Sequence, residues 1–350
     1  MRTTIRNGTV LAWQGERHEV LKRGEVVFEG NEITFAGEAY EGAVDQVVDA
    51  MGRLVIPGLI NGHLHATDTP FTKGYLEDTA SSANTTQAQN FVSLYKISPE
   101  VRHAADVDAQ LVAAECAFAE LARTGSTTVV ELGYDYEVGG DGYIVLTERV
   151  ADAAGKMGLR CYSGPRYRTK HYGYDGDGSV FYRDYDGRGW LRFEDCVDFC
   201  ERFNGRYDDR LRPMLAPGQV DTCDADILEA TRLAADRTGL PIQIHAGQSP
   251  IEYQRILSTQ GKTTVEYLRD TGLLGSDFII GHGQCMTADD DMNRMSADEV
   301  AALRDSETSI CYLPWDKARR GGAINSIQKY QDLGIHQCIG TDTYPFDLYN

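Results

Sequence analysis

The chain has 350 residues, of which 42% are hydrophobic and 25% charged, and this composition excludes a disordered or fibrous protein. Its length allows a large buried core, arranged either as one barrel-sized domain or as two domains. The formal net charge of -19 argues against nucleic acid and anionic membranes as partners, because both would be repelled. We therefore expect a small-molecule substrate.

The cysteines and the N-terminus favour an intracellular protein. The eight cysteines include no CxxC pair, and the first residues contain no apolar segment of signal-peptide length. No apolar run approaches the roughly 20 residues of a membrane span. The sequence thus predicts reduced thiols and a cytoplasmic location.

Residues 1-58 show alternating β patterns separated by turn residues. We expect three short strands here, with Gly30-Asn31 as a hairpin turn. Strands of this kind would form part of a small sheet or β-sandwich that is not stable alone.

From residue 59 onward, apolar runs alternate with amphipathic helical patterns, which is typical of parallel βα units. Helices are predicted over 98-124, 224-239 and 296-306. Strands are predicted over 55-64, 126-133, 159-165, 211-217, 241-247, 277-283, 308-314 and 337-342. The sequence therefore predicts an α/β fold, a (β/α)₈ TIM barrel over 59-350, with its chemistry at the carboxyl ends of the strands.

Two connections, 66-96 and 166-190, are longer than βα loops usually are. Both leave carboxyl ends of strands, so we expect them to cover the active site, unless they are surface loops without a catalytic part. The second is rich in aromatic residues that could face an apolar substrate or pack the loop onto its own protein. These are Tyr167, Tyr172, Tyr174, Tyr182, Tyr185 and Trp190.

Four histidines and an aspartate stand at the ends of predicted strands. His63 and His65 are two positions apart on the first strand and so point to the same side. His245, His282 and Asp342 end the fifth, sixth and eighth strands. In a closed barrel these positions surround one centre, and imidazoles with a carboxylate suit zinc or another first-row divalent ion. The alternatives are a buried structural histidine for His282 and a strand cap for Asp342.

The segments "PGLINGHLH", "IHAGQ", "GHG" and "GTD" resemble the metal motifs of the amidohydrolase superfamily, in the branch with cytosine deaminase and the atrazine chlorohydrolase-like enzymes. The resemblance covers nearly the whole chain. It implies that His63, His65, His245 and Asp342 bind one divalent metal ion, and that His282 hydrogen-bonds the water or the substrate. The fourth strand ends in "LAPG" without a lysine, which argues against the carboxylated-lysine bridge of the binuclear branches. Zinc is the first expectation, and iron, manganese or cobalt are also compatible.

A metal ion of this kind lowers the pKa of a bound water from 15.7 to about 7. Asp342 would then take the proton of the water. His282 would polarise the substrate carbonyl or stabilise the oxyanion.

The chain departs from the resemblance after the fifth strand. Deaminases of this branch usually carry HxxE there, whereas this chain has Gln248, which forms hydrogen bonds but cannot transfer a proton. Glu252 could replace the missing acid, but we expect it to be a solvated surface carboxylate. Arg166 and Arg168 lie in "SGPRYR", which is similar to the phenylurea and molinate hydrolases. We expect them on the rim, binding a substrate carbonyl or carboxylate, or else paired with surface carboxylates.

These residues predict hydrolysis of a non-peptide C–N bond of amide, carbamate or urea type, with Asp342, His282, Gln248, Arg166 and Arg168 as catalytic residues. The alternatives are an aminohydrolase or chlorohydrolase acting on a nitrogen heterocycle, or a silent relative that serves as a binding subunit. The chain stops at Asn350, whereas family members usually continue with a last helix and further sandwich strands. We therefore expect the C-terminal part to be missing, and poor solubility or association of the chain, with a homo-oligomer as one form.

Overall fold

The computed structural model describes residues 1-67, 106-134, 142-175, 179-287, 295-319 and 326-343. The chain divides into two compact units, Met1–Leu59 and Ile60–Asn350. Most of the first long connection, 66-96, lies outside the described residues, so its predicted role stays a prediction. Among the described helices, none is long and apolar enough to cross a membrane.

The first unit is built from one sheet. Its strands are β1 (Arg2–Trp13), β2 (His18–Glu29), β3 (Glu32–Gly37), β4 (Gln46–Asp49) and β5 (Leu54–Val55). The order is β3-β2-β1-β4, with β5 also beside β1, and β4 and β5 run parallel to β1.

The predicted turn at Gly30-Asn31 joins β2 to β3 and is confirmed. The expectation of three short strands is wrong, because β1 and β2 have 12 residues each and the third segment contains two strands. The turn-forming pair Asn7-Gly8 does not end β1, since Asn7 takes a φ of 61° and the pairing register shifts there, as in a bulge.

The second unit alternates strands and helices. In chain order it contains β6 (Leu59–Leu64), α1 (Val107–Arg123), β7 (Ser126–Leu132), α2 (Gly142–Lys156), β8 (Arg160–Gly164), β9 (Arg166–Tyr167), β10 (Lys170–Tyr174), β11 (Val180–Asp184), α3 (Arg188–Phe203), the short turn α4 (Arg206–Asp209), β12 (Leu211–Pro213), β13 (Ala216–Pro217), a 3₁₀ turn (Val220–Thr222) and α5 (Ala225–Thr238). It continues with β14 (Ile242–Ala246), α6 (Pro250–Gln260), α7 (Thr264–Asp270), β15 (Phe278–His282), α8 (Ala297–Asp305), β16 (Ser309–Tyr312), α9 (Pro314–Arg319), α10 (Ile327–Asp332) and β17 (His336–Ile339).

Each of the eight predicted strand segments overlaps a strand of the structure. The strands form two sheets, β12-β8-β7-β6 and β14-β15-β16-β17, in which the recorded registers are parallel. Single bridges link the two sheets, Leu215 with Ile242 at one edge and Leu64 with Asp342 at the other. The second bridge brings the carboxyl end of β6 next to the segment that follows β17.

The predicted helices 224-239 and 296-306 correspond to α5 and α8, and the prediction 98-124 contains α1, which begins at Val107; residues 98-105 lie outside the described part of the chain. Asp106 caps α1 by accepting a hydrogen bond from the Ala109 amide at 2.8 Å. Gly239 ends α5 with a φ of 70°, a conformation that glycine adopts without steric cost. All five residues of β14 are buried, so this strand lies within the core of the unit.

The second long connection, 166-190, is not an irregular loop. Lys170–Tyr174 and Val180–Asp184 pair as an antiparallel hairpin, with Tyr172 opposite Tyr182. The alternating aromatic residues explain this, because cross-strand aromatic pairs stabilise a hairpin. Tyr167 is fully buried and shares a hydrogen bond of 2.7 Å with Thr231, so it packs the core rather than facing a substrate.

Candidate metal centre

The five strand-end residues converge in one buried cluster. His63 and His65 come from β6, His245 from β14 and His282 from β15, while Asp342 follows β17; each is at most 5% exposed. The Nε2 atoms of His65 and His245 are 2.9 Å apart. The Asp342 carboxylate lies 3.6 Å from His65 Nε2 and 4.0 Å from both His63 Nε2 and His282 Nε2.

The backbone around this cluster is strained and tightly packed. His282 and Asp342 have φ values of 81° and 61°, in the left-handed region that costs a non-glycine residue about 1–3 kcal/mol. A Cβ at Gly281 would lie 2.7 Å from His63 Nδ1, and one at Gly340 would lie 2.7 Å from the His63 backbone. Gly281 of "GHG" therefore makes room for the imidazole of His63, and Gly340 of "GTD" makes room for its backbone.

Three histidines of the cluster each donate a hydrogen bond from Nδ1 to an oxygen atom. His63 Nδ1 donates to Gln243 Oε1 at 2.8 Å, and the orientation of the Gln243 amide follows from its Nε2, which donates to the Gly62 carbonyl. His65 and His245 donate to backbone carbonyls, Leu132 O at 3.3 Å and Gly218 O at 2.5 Å. With the proton on Nδ1, each Nε2 presents its lone pair to the centre of the cluster.

This donor set fits a first-row divalent ion. The lone pairs of His65 and His245 would repel each other at 2.9 Å unless a cation or a proton lay between them. His63 Nε2 is buried and has no hydrogen-bond partner among the described residues. Burial, opposed by the Gln243 contact and helped by the charge of Arg166, lowers the pKa of His63 to about 3, so this imidazole is neutral at pH 7. Three imidazoles and a carboxylate are a common ligand set for zinc.

Arg166 lies on β9, directly after the carboxyl end of β8, and its side chain is buried. This burial argues against the pairing with a surface carboxylate, while the predicted contact with a substrate carbonyl or carboxylate stays a prediction. The charge of Arg166 acts on His63 and also on Glu131, a fully buried carboxyl group of β7.

Glu131 is a residue that the sequence reasoning missed. Its carboxyl accepts hydrogen bonds from Tyr134 Oη at 2.7 Å and Ser163 Oγ at 3.3 Å. Burial raises the pKa of Glu131 to about 7, although these hydrogen bonds and Arg166 oppose the shift. A carboxylate inside the apolar run "TTVVEL" was the available signal.

Asp316 is the second residue that was missed. Its side chain is buried on α9. One of its carboxylate oxygens lies within 4.8 Å of a ligand atom of His282 and of a carboxylate oxygen of Asp342. Its position just after the seventh predicted strand, in "CYLPWD", follows the same rule that identified the other site residues.

Arg168 is half-buried against the hairpin. Its guanidinium lies over the rings of Tyr172 and Tyr185, 5.4 and 5.7 Å from their centroids. It also lies close enough to Asp221 to lower the pKa of that carboxyl group, against the larger effect of burial.

Gln248 and Glu252 belong to the segment that follows β14. Gln248 is half-buried, and its carbonyl accepts a hydrogen bond from Gln284 Nε2 at 3.1 Å. Glu252 is fully buried, so the expectation of a solvated surface carboxylate is wrong. Its carboxylate accepts hydrogen bonds from the backbone amides of Gly247 and Gln248, which follow His245. The spacing of residues in the sequence does not predict a contact of this kind.

The family of the chain follows from a comparison of its sequence with known families. The amidohydrolase family matches residues 54–345, which is most of the chain. The chain therefore belongs to the amidohydrolase family, whose fold is the (β/α)₈ barrel, and is a hydrolase that acts on carbon–nitrogen bonds.

Individual relatives agree with this assignment. A 5-methylthioadenosine/S-adenosylhomocysteine deaminase of Thermococcus sibiricus is 27% identical over 342 residues, covering 98% of this chain and 70% of its own. The zinc complex of atrazine chlorohydrolase from Arthrobacter aurescens is structurally similar, with a TM-score of 0.74, 19% identity and coverage of 97% and 72%. Guanine deaminase from C. acetobutylicum with bound guanine gives a TM-score of 0.71, 17% identity and coverage of 98% and 74%.

Proposed function

We propose that this chain is a mononuclear, metal-dependent aminohydrolase that replaces the amino group of a nitrogen heterocycle by water oxygen and releases ammonia. The observation on which the proposal depends is that ligand atoms of His63, His65 and Asp342 lie within 4.8 Å of one another, while His245 Nε2 lies 2.9 Å from His65 Nε2. The deaminase relatives favour this reaction over the amide, carbamate or urea hydrolysis that we expected from the sequence.

His63, His65, His245 and Asp342 are the proposed ligands. A divalent ion held by them would lower the pKa of a bound water from 15.7 to about 7 and so supply hydroxide at neutral pH. Zinc is the ion we propose first, because the donor set suits it and an atrazine chlorohydrolase of the same fold was solved with zinc.

The side chains of the site carry out proton transfer and charge stabilisation in the proposed reaction. Asp342 accepts the proton of the attacking water, and that proton is delivered to the leaving amine. The His282 imidazole hydrogen-bonds the attacking water or the ring atom at which negative charge develops. The Arg166 guanidinium, buried beside His63, adds a fixed positive charge that favours this developing anion.

A second candidate function is hydrolysis of an amide, carbamate or urea. It is favoured by Gln248, which replaces the proton-transferring acid that deaminases of this branch usually carry. Its amide can hydrogen-bond a substrate carbonyl or amine but cannot protonate a leaving group.

The experiment that separates the two candidates analyses the products formed by zinc-loaded protein. A pool of amino-heterocycles, aryl ureas, carbamates and N-acyl amines is incubated, ammonia is measured, and organic products are identified by mass spectrometry. We expect ammonia together with a heterocycle in which a hydroxyl or oxo group replaces the amine. An organic amine without ammonia would refute the aminohydrolase and support the second candidate.

Two variants test the site in the same assay. His245→Asn removes a proposed ligand and should abolish turnover. His336→Asn changes an exposed histidine of β17 and serves as the matched control, with activity close to that of the unmodified protein.

The architecture around the site is also part of the proposal. We propose that the two four-stranded sheets close into one (β/α)₈ barrel over 59-350, because bridges link them at both edges. Residues 1-58 would form part of a β-sandwich domain. A cytoplasmic location, the absence of nucleic acid and membrane partners, and self-association of the chain remain predictions.

A further inference from the structure

Three helices of the second unit begin with a hydroxyl N-cap and a glutamate three positions later. In α7 and α8 the glutamate accepts a hydrogen bond from the backbone amide of its own N-cap. Glu266 accepts from the Thr263 amide at 2.8 Å, and Glu299 from the Ser296 amide at 2.7 Å. These are complete capping boxes, which stabilise the first turn of the helix. Glu299 also accepts a hydrogen bond from the Thr263 hydroxyl at 2.6 Å, which joins α8 to the start of α7.

Glu252 of α6 departs from this pattern. Its carboxyl oxygens accept hydrogen bonds from amides further upstream, from the Gly247 amide at 2.5 Å and the Gln248 amide at 3.4 Å. Gln219 Nε2 donates to the same group at 3.2 Å. A fully buried carboxyl group therefore binds the turn that directly follows the proposed ligand His245 and carries Gln248.

This turn is confined on its other side. Gly247 has a φ of 64°, and a Cβ there would lie 2.6 Å from Met286 Sδ and 3.1 Å from the backbone of Gly283. A turn that is packed against one side and hydrogen-bonded from the other has little freedom to move. The orientation of the adjacent strand end, which carries His245, depends on both contacts.

A second buried carboxyl group joins this arrangement to the hairpin. Asp221 accepts a hydrogen bond from Tyr182 Oη at 2.5 Å, and its charge acts on Glu252. The Arg255 guanidinium lies over the Tyr182 ring, 4.4 Å from its centroid, and the charges of Arg255 and Arg168 act on Asp221. Asp221 lies in the 3₁₀ turn that directly follows Gln219, whose side chain donates to Glu252, so this turn connects Tyr182 of β11 to the segment after β14.

We propose that Glu252 is a positioning residue that fixes the Gly247–Gln248 turn and thereby orients His245 and Gln248, while Asp221 connects this turn to the β10–β11 hairpin. The inference rests on the proposed function, because the residues being positioned are a proposed metal ligand and the residue that replaces the usual acid. Glu252 acts through the backbone amides that it binds.

The test compares Glu252→Gln with Glu299→Gln. Both variants replace a buried glutamate at the same position of a helix, but only Glu252 contacts the turn after His245. A glutamine offers one acceptor oxygen to the three N–H groups that the Glu252 carboxylate receives. The proteins are loaded with Co²⁺, whose ligand-field absorption reports the geometry of the bound imidazoles, and zinc affinity is measured by chelator competition.

We expect an altered cobalt spectrum and a loss of zinc affinity of about 10- to 100-fold for Glu252→Gln, the range found when groups that orient a ligand are removed. Glu299→Gln should keep the unmodified spectrum and affinity even where its melting temperature falls. Asp221→Asn, which disturbs the connection to the hairpin at a greater distance, should change the spectrum in the same direction by less, and it provides the test if Glu252→Gln does not fold.

Two results would overturn the inference. If Glu252→Gln and Asp221→Asn gave the spectrum and affinity of Glu299→Gln, Glu252 would serve only the helix. If the unmodified protein gave no ligand-field bands with cobalt, the metal centre itself would be refuted, and the positioning role would fall with it.

Discussion

The hydrogen bond between His63 and Gln243 gives the sharpest prediction about this site. Gln243 is fully buried, accepts from His63 Nδ1 at 2.8 Å and donates to the Gly62 carbonyl at 2.8 Å. Gln243→Leu preserves the approximate volume but removes both hydrogen bonds. The tautomer of His63 would then no longer be set by a neighbouring acceptor.

The expected cost follows from the groups left without partners. A buried donor or acceptor that loses its partner costs about 1–3 kcal/mol, so the His63 Nδ1–H and the Gly62 carbonyl together cost roughly 2–6 kcal/mol. This is a large part of the roughly 5–15 kcal/mol by which folded proteins are stable. The loss of an orienting partner should also weaken zinc binding by about 10- to 100-fold.

The assay combines urea unfolding of the metal-free protein with chelator competition for zinc. Gln243→Glu is the matched control, because its carboxylate still accepts from His63 but cannot donate to the Gly62 carbonyl. We expect Gln243→Glu to be less stable than the unmodified protein, but to bind zinc more tightly than Gln243→Leu does. Equal zinc affinity for the unmodified protein and Gln243→Leu would refute the reasoning.

Three further predictions concern the pH dependence of stability, steric crowding beside His63 and the removal of zinc. The pKa of Glu131 is raised from 4.5 to about 7. Between pH 4.5 and 7 the folded state therefore keeps a proton on Glu131 that the unfolded state releases, so the free energy of unfolding falls as the pH rises through this range. The stability of the unmodified protein relative to Glu131→Gln should therefore fall by about 3 kcal/mol between pH 4.5 and 7, measured by urea unfolding without metal; a constant difference would contradict this. Gly340→Ala places a Cβ 2.7 Å from the His63 backbone, so we expect a destabilisation of about 1–3 kcal/mol or more and weaker zinc binding; a melting temperature equal to that of the unmodified protein would show that the site relaxes. Removal of zinc by a chelator should abolish turnover, and free zinc at 100 times its dissociation constant should add about 2.7 kcal/mol of stability, while a melting temperature independent of zinc would argue against a site formed only in the folded state.

Local patterns predicted much of the fold. Every predicted strand of the second unit overlaps an observed strand, because apolar runs bounded by turn residues depend on neighbouring residues alone. The hairpin within 166-190 was missed because charged residues and glycines interrupt its aromatic pattern, and its pairing is stabilised by Tyr172 against Tyr182 on the partner strand.

The residues of the proposed metal site followed from two simple rules. Side chains two positions apart on a strand share a side, which pairs His63 with His65. The carboxyl ends of parallel strands meet at one face of an α/β fold, which adds His245, His282 and Asp342.

The residues that hydrogen-bond the proposed ligands or the turn beside them could not be predicted by these two rules. His63 and Gln243 are 180 positions apart, and the register that brings them together depends on how complete strands pair. Glu252 could be a surface carboxylate or a buried one, depending on whether its side chain points outward or back toward the Gly247 amide.

The sequence by itself thus determined the eight predicted strand segments of the second unit, their order along the chain and the histidines and aspartate at the strand ends, since these depend on local apolar runs and on residue type. Only the tertiary structure decided the positive φ of His282 and Asp342, the burial of Arg166, Glu131 and Glu252, and the acceptor that faces each imidazole. These depend on contacts between segments that are far apart in the chain, where packing and desolvation outweigh local preference.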